Sequence, residues 1–403
     1  MNTVTANTRC LACNSENIHM ALDLGTQALA NSYKTEQGAK EDRYPLAVSL
    51  CHDCFHLHLT HTVDPEIIYK NYLYATGTNQ TIQDYSRWFA EFVKEYTGQT
   101  GSILDIGCND GTQLNYFADL AFATYGIDPA ENLHSKIDTR HSVVCDFFGP
   151  TAVDRLKSTA YDVIIAQNVF AHNPSPADFL TSCRELMSDD TVLFIQTSQA
   201  DMVLHNEFDT IYHEHINFFN ANSMNQLAQR VGLNLVDVVK TPIHGNSYIF
   251  VLSRSQQRPA HVGNIIAMEQ AAGLLSVDTY TRWNAIVQST VAELNTQLNL
   301  FRDQGYVLVG YGAAAKGMTL INFGDIHLDF IIDDSPLKQG RFTPGTSTAI
   351  VSKDHLAQYT DQDRLLFVPL AWNFFTEIRQ RIQAVRNNPQ DRFIRYFPQV
   401  EVL

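Results

Sequence analysis

The sequence predicts an α/β protein in which two strand–turn–helix units follow a small unit built on paired cysteines. Three observations carry this. Two CxxC clamps stand near the start, Cys10-Leu11-Ala12-Cys13 and Cys51-His52-Asp53-Cys54; an apolar run at 102–106 enters a glycine-bearing turn; and a second run at 306–309 enters another at Gly310. Short apolar runs alternating with amphipathic segments are the pattern of a mostly parallel sheet covered by helices.

A chain of 403 residues exceeds one ordinary domain. The expected division is a cysteine unit at 1–70, a first α/β unit at 71–255 and a second, with its preceding helices, at 256–403. The formal net charge is -15, from 28 Lys plus Arg against 43 Asp plus Glu, and no continuous basic track runs along the chain. That argues against nucleic-acid binding, which needs concentrated neutralisation of phosphates. A basic-then-apolar leader and a long charge-free apolar run are both missing from the sequence, so a cytoplasmic protein without a membrane partner is expected.

Four of the seven cysteines fall in the clamps, and Cys108, Cys145 and Cys183 are scattered. This distribution fits a metal site better than a disulfide framework. Two clamps can aim four thiolates at one tetrahedral centre, and soft ligands with four-coordination select zinc. His52, His56, His58 and His61 crowd the second clamp and are expected to be bystanders. With no vacant ligand position, the ion holds the unit together and takes no part in chemistry.

Beyond the clamps, the aromatic cluster 69–74 is core by default, with Tyr72 kept as a candidate active-site residue. Tyr85, Trp88, Phe89, Phe92 and Val93 recur at helical spacing and predict one buried stripe. The run 102–107 reads as a buried strand, and Cys108-Asn109-Asp110-Gly111 continues its turn into a helix from Thr112 to Leu120. Gly107 and Gly111 relieve crowding where backbone nears a ligand, while Asp105 can accept a hydrogen bond from an ammonium or amide. The next strand, 124–128, ends on Asp128, whose carboxylate can take both hydroxyls of a ribose or cap a helix. Asp146 with Phe147 could meet the amino edge and ring of adenine, or the Phe147-Phe148 pair could simply fill the core. Further strands are expected at 161–166, running into Gln167, and at 191–196, with Ser247–Val251 closing the sheet.

The ordered motifs Cys10-xx-Cys13, Cys51-xx-Cys54, Asp105-Ile-Gly-Cys-Asn-Asp-Gly111, Tyr212-His-Glu-His215 and Gly310-Tyr-Gly-Ala-Ala-Ala-Lys-Gly317 resemble the sugar C-methyltransferase family over almost the whole chain. The resemblance implies an N-terminal zinc-binding domain, a Rossmann-like S-adenosylmethionine methyltransferase core and a C-terminal Rossmann-like domain that helps enclose a nucleotide-linked ketosugar. It carries cofactor binding to Asp105, Gly107, Asn109, Gly111 and Asp128, with Asp146, Phe147 and Gln167 added from their positions at strand ends. Pocket roles pass to Tyr72, His172, Tyr212, Glu214 and His215. Two positions depart from the family: Asn246 stands where related sequences often have glycine, and Gln196 where many have an acid, so no carboxylate role passes to Gln196.

The implied chemistry is methylation at C3 of a nucleotide-linked 4-keto-6-deoxyhexose. A C4 ketone makes the C3 proton removable, since the charge spreads onto oxygen as an enolate, and the carbon can then take a methyl group from S-adenosylmethionine. His215 is the expected base, Tyr212 a donor to the oxyanion, Glu214 an orienting or tuning group and His172 a second proton-transfer or oxyanion-binding group. Consecutive residues cannot all face one way in a strand, so residues 212–215 should form a turn.

In the last unit, 306–310 should be a strand feeding the glycine-rich turn and 328–333 the next strand, after helices over 262–302 with Ile265, Ile266, Met268, Leu274, Leu275, Ile286, Leu294, Leu298 and Leu300 as apolar positions. The spacing is not a clean dinucleotide fingerprint. Two other readings use the same residues: an NAD-dependent sugar oxidoreductase with Asp333 at the ribose, and a zinc-containing scaffold without chemistry.

Overall fold

The computed structural model describes residues 3–69, 80–197, 200–243 and 246–403; Tyr72, His244 and Gly245 lie outside them. In the N-terminal unit, β1 (Val4–Ala6), β2 (Ile18–Ala28), β3 (Arg43–Cys51), β4 (Leu57–Leu59) and β5 (His61–Val63) precede a short α1 (Pro65–Tyr69). β2, β3 and β4 form an antiparallel sheet and β1 pairs with β5.

The second unit begins with α2 (Gln80–Thr97). There follow β6 (Ser102–Ile106), α3 (Thr112–Asp119), β7 (Ala123–Ile127), α4 (Glu131–His134), β8 (Ser142–Val144), α5 (Pro150–Leu156), β9 (Tyr161–Gln167), α6 (Pro176–Leu186), β10 (Met187–Thr197), β11 (Asn217–Phe218), α7 (Ala221–Arg230), β12 (Asn234–Thr241) and β13 (Ser247–Ser253). The sheet order is β12-β13-β10-β9-β6-β7-β8. The five strands from β10 to β8 are parallel, and β13 and β12 add as an antiparallel hairpin. The chain goes from β6 out to β7 and later back to β9 on its other side. Ligands of open α/β sheets bind at that reversal, beyond the carboxyl ends of the strands.

The third unit starts with α8 (Pro259–Ala271) and α9 (Val277–Asp303), then β14 (Val307–Tyr311), α10 (Ala315–Phe323), β15 (Phe330–Ile332), β16 (Ile350–Val351), β17 (Leu365–Pro369), α11 (Phe375–Val385), β18 (Arg392–Arg395) and β19 (Glu401–Val402). Its sheet, β16-β15-β14-β17-β18-β19, is parallel except at β19 and reverses at β14 in the same way.

Local sequence explains the boundaries. Proline in the first turn starts α5, α6 and α8, where the missing N–H costs nothing. Asn220 and Ser223 close a reciprocal capping box at the start of α7. In α9, Tyr280, Trp283, Val287, Val291, Leu294, Leu298 and Phe301 repeat every three or four residues and are all buried.

Three expectations need correction. Ser247–Ser253 does not close the sheet: it lies between β10 and β12, and is buried along its whole length as an interior strand must be. Trp88 lies off the buried stripe of α2 and is exposed, and Met268, Ile286 and Leu300 face outward, because α8 and α9 each bury only one side. The strand expected at 328–333 spans Phe330–Ile332, since Asp329 turns its carboxylate to the Leu308 N–H.

One apolar cluster joins the sheet of the first unit, residues 202–218, α9 and the inner face of the third sheet. The segment after β10 is thereby fixed by all three units. Among the described residues, no helix is long and apolar enough to cross a membrane.

Candidate active site

The four clamp cysteines meet. Their sulfur atoms all lie within 4.8 Å of one another, with Cys10–Cys54 and Cys13–Cys51 at 3.5 Å, and none is in a disulfide. Four thiolates about 2.3 Å from a common centre have this mutual spacing, so the donor set fits a tetrahedral zinc ion. The neighbouring histidines are engaged elsewhere: His56 Nε2 with Asn217 Oδ1, His58 Nδ1 with the Leu59 carbonyl, His61 Nδ1 with Thr60 Oγ1, and the His52 ring against His19.

At the carboxyl end of β6 the backbone turns through Gly107 and Asn109, both at positive φ, to Gly111, the left-handed N-cap of α3. A Cβ on Gly107 would lie 2.1 Å from Val169 Cγ2, so the loop after β9 can cross here only over a glycine. Asp128, just past β7, accepts from the Asn109 N–H through Oδ2 and from the Ala130 N–H through Oδ1, both at 2.8 Å. This ties the two turns into one rim. Asp105 is buried beneath it, and desolvation with the nearby Asp128 charge pushes its carboxyl up to about 8.

The other candidate cofactor residues share this edge. The Asp146 N–H donates to the Asp128 carbonyl, while its carboxylate accepts from Arg155 and from the Phe147 N–H. The Phe147 ring is exposed beside it, and the pair that packs as core is instead Phe148 on Phe179. Gln167 Nε2 donates to Gln113 Oε1 at 3.0 Å.

Residues 212–215 form a turn whose side chains diverge. Tyr212 Oη and His215 Nε2 are 2.7 Å apart, and the His215 ring lies against His172, with centroids 5.2 Å apart. His215 Nδ1 is 2.9 Å from the Thr210 carbonyl. A carbonyl only accepts, so this contact assigns the proton to Nδ1 and leaves the Nε2 lone pair to take the tyrosine O–H. The Ile216 N–H donates to the Ala171 carbonyl at 2.8 Å, which brings the loops of His172 and His215 together. Burial pulls His172 down to about 4, so its ring is neutral near pH 7.

The two residues between point the other way. His213 lies within hydrogen-bond reach of the Tyr44 carbonyl, and Glu214 Oε1 accepts from Asn31 Nδ2 at 2.6 Å. Burial lowers His213 to about 4 and raises Glu214 to about 7.

The third unit grips the same segment. Trp372 Nε1 donates to Asp209 Oδ2 at 2.8 Å, Thr319 Oγ1 to the Ile211 carbonyl at 2.9 Å, and Trp283 Nε1 to the Glu207 carbonyl at 3.0 Å. Asn31, Thr210, Asp209, Thr319 and Trp372 were not among the sequence candidates. The invariably ordinary residue types involved carry no spacing signal, and Asn31 is 183 positions from its partner. In the glycine-rich turn of the third unit, Asp333 accepts from the Ala313 N–H at 2.7 Å and the Ser335 N–H at 2.8 Å, with Lys338 nearby at 3.6 Å. Asp333 thus ties its turn together as Asp128 ties the turns beyond β6 and β7.

Fold and site define a methyltransferase core that binds S-adenosylmethionine, fronted by a zinc-binding unit. Comparison with known proteins agrees. Residues 10–69 match a putative zinc binding domain, residues 78–238 a methyltransferase domain, and residues 242–398 a C-methyltransferase C-terminal domain. The C-methyltransferase NovU of Streptomyces niveus is 26% identical over 409 residues, covering 98% of this chain and 96% of that protein. A ubiquinone biosynthesis O-methyltransferase of Burkholderia thailandensis is 25% identical over 168 residues, 38% of this chain and 72% of its own length. Among solved structures, a 1,6-didemethyltoxoflavin-N1-methyltransferase of Burkholderia thailandensis with bound S-adenosylhomocysteine overlaps 44% of this chain and 80% of its own, at 16% identity and a TM-score of 0.35. The chain resembles a C-methyltransferase along almost its whole length and is an S-adenosylmethionine-dependent C-methyltransferase with a zinc-binding domain.

Proposed function

We propose that this enzyme methylates C3 of a nucleotide-linked 4-keto-6-deoxyhexose, in the cytoplasm, through an enolate. The observation that carries the reading is the Tyr212–His215 pair, 2.7 Å apart with the imidazole proton fixed on the far nitrogen. An enolising ketone presents an oxygen that needs a donor and, one carbon away, a proton that needs a base. If the ketone oxygen takes the Tyr212 O–H, the Nε2 lone pair of His215 is released toward the C3 proton. The Thr210 carbonyl then supports the imidazolium through Nδ1. Neutral His172, stacked on His215, is the second group at the oxyanion. Glu214 acts from behind the turn through Asn31, and Tyr72 is retained as a pocket residue from the family resemblance.

Asp105, Gly107, Asn109, Gly111 and Asp128 are the residues that would hold the cofactor, with Asp146, Phe147 and Gln167 along the same edge. S-adenosylmethionine, when bound, supplies the electrophilic methyl group. Cys10, Cys13, Cys51 and Cys54 would hold the zinc ion and keep it away from the reacting atoms.

The test is turnover of the zinc-loaded enzyme on a panel of nucleotide-linked 4-ketosugars, read as S-adenosylhomocysteine formed and methylated sugar by mass. Transfer to at least one 4-ketosugar, and none to its 4-hydroxy counterpart, is expected. Equal transfer to the 4-hydroxy counterpart would remove the need for an enolate and refute the reading.

A further inference from the structure

Three glutamines stand around the carboxyl edge of the central sheet beneath α2, and two of them are satisfied. Gln113 Nε2 donates to the Ser86 carbonyl, and Gln167 Nε2 donates to Gln113 Oε1, both at 3.0 Å. Gln196, the cross-strand partner of Gln167 on β10, is wholly buried, yet neither its Nε2 nor its Oε1 has a hydrogen-bond partner among the described residues. Gln196 follows Phe194 by two along the strand and so shares its face, on which Phe89 and Phe92 of α2 pack against Phe194. Its carbonyl accepts from the Asn168 N–H at 2.9 Å, at the start of the loop that carries His172.

A buried primary amide with neither side paired opposes folding, and such groups are retained where a ligand completes them. Position says which ligand. The candidate cofactor acids stand at the carboxyl ends of β6, β7 and β8, whereas Gln196 is the penultimate residue of β10, across β9 from them and beside the His172 loop. From this we propose that Gln196 is a specificity-determining residue that binds a ring hydroxyl of the methyl acceptor. One hydroxyl satisfies both halves of the amide, donating to Oε1 and accepting from Nε2, whereas an ammonium could use only Oε1. Gln196 therefore selects hydroxylated over amino or deoxy acceptors at the contacted carbon. This rests on the ketosugar reading above.

The test uses the full zinc-loaded chain, Gln196→Met and Gln196→Glu, and matched nucleotide-linked 4-ketosugars that differ by a hydroxyl, an amino group or hydrogen at one ring carbon. Gln196→Met should keep its melting temperature and bind S-adenosylhomocysteine within about twofold of wild type. Its kcat/KM for the hydroxyl acceptor should fall about tenfold or more, the worth of an uncompensated buried hydrogen bond, and the hydroxyl-over-deoxy preference should collapse toward one. Gln196→Glu should shift preference toward the amino acceptor. An unchanged preference in Gln196→Met, or an equal loss on every acceptor together with weakened S-adenosylhomocysteine binding, overturns the proposal and leaves the ketosugar reading standing. A wild type that methylates no ketosugar overturns both.

Discussion

Tyr212 and His215 face each other across a 2.7 Å hydrogen bond while the two residues between them point into the N-terminal unit. The turn thus separates the side proposed to react from an anchored side within four residues. Replacing His215 by Asn should abolish C3-hydrogen exchange of the ketosugar in solvent and lower methyl transfer about 10² to 10⁴-fold, the usual worth of a general base. Tyr212→Phe should lower both about 10²-fold through loss of the oxyanion donor. A folded His215→Asn enzyme that exchanges at the wild-type rate sinks the assignment of His215 as base.

The zinc unit makes a second prediction. Cys10, Ala12, Cys51 and Cys54 pack in one apolar cluster with Phe219 and Met224, and Asn222 and Asn220 donate to the Cys54 and Phe55 carbonyls. The Cys10→Ser/Cys13→Ser double variant should release about one zinc per chain, because metal binding is folding free energy for such a site. Loss of the knuckle should also loosen α7, so proteolysis should cut near residues 220–230 as well as in the N-terminal unit. Zinc content and cleavage both matching wild type would exclude the four-cysteine site.

The anchored side can be probed through Asn31. Asn31→Ala leaves the buried Glu214 carboxyl without its donor, which should cost about 1–3 kcal/mol in denaturant unfolding. An unchanged unfolding midpoint would mean that the 2.6 Å contact contributes nothing to holding the turn.

Acid pH should weaken the fold in part through His213. Its ordinary value of 6.5 falls to about 4 in the folded state because burial penalises the cation. Between these values the unfolded chain binds a proton that the folded chain does not, so stability drops as pH falls from about 6.5 to about 4 and this contribution then levels off. His213→Asn should show a shallower decline over that window, by up to about 3 kcal/mol at its acid end. Parallel stability curves for the two zinc-loaded proteins would contradict the assigned environment.

Much of the architecture is legible in the sequence because its signals are local. The apolar runs at 102–106, 161–166 and 306–310 each lead within one or two residues to a position at positive φ, Gly107, Asn168 and Gly312, and the cysteine clamps are spaced for one centre. The role proposed for the Tyr212–His215 turn is legible only through family resemblance, since its four residues say nothing of which way each one faces. What stayed hidden is long-range. Trp372 reaches Asp209 across 163 positions, and β11 joins the sheet of the first unit from the far side of the Tyr212–His215 turn. Asn246 is intermediate: it adopts φ 84, a left-handed conformation that asparagine tolerates better than most residues, so the residue type permits this backbone without requiring it.

The central claim, carbon methylation through an enolate, is tested most directly by one measurement. The enzyme is given methyl-labelled S-adenosylmethionine and the 4-ketosugar it turns over, deuterated at C3, and the product is read by NMR and tandem mass spectrometry. The account predicts label on C3 and complete loss of the C3 deuterium to solvent. Label on oxygen or nitrogen, or label at C3 with the deuterium retained, would contradict it.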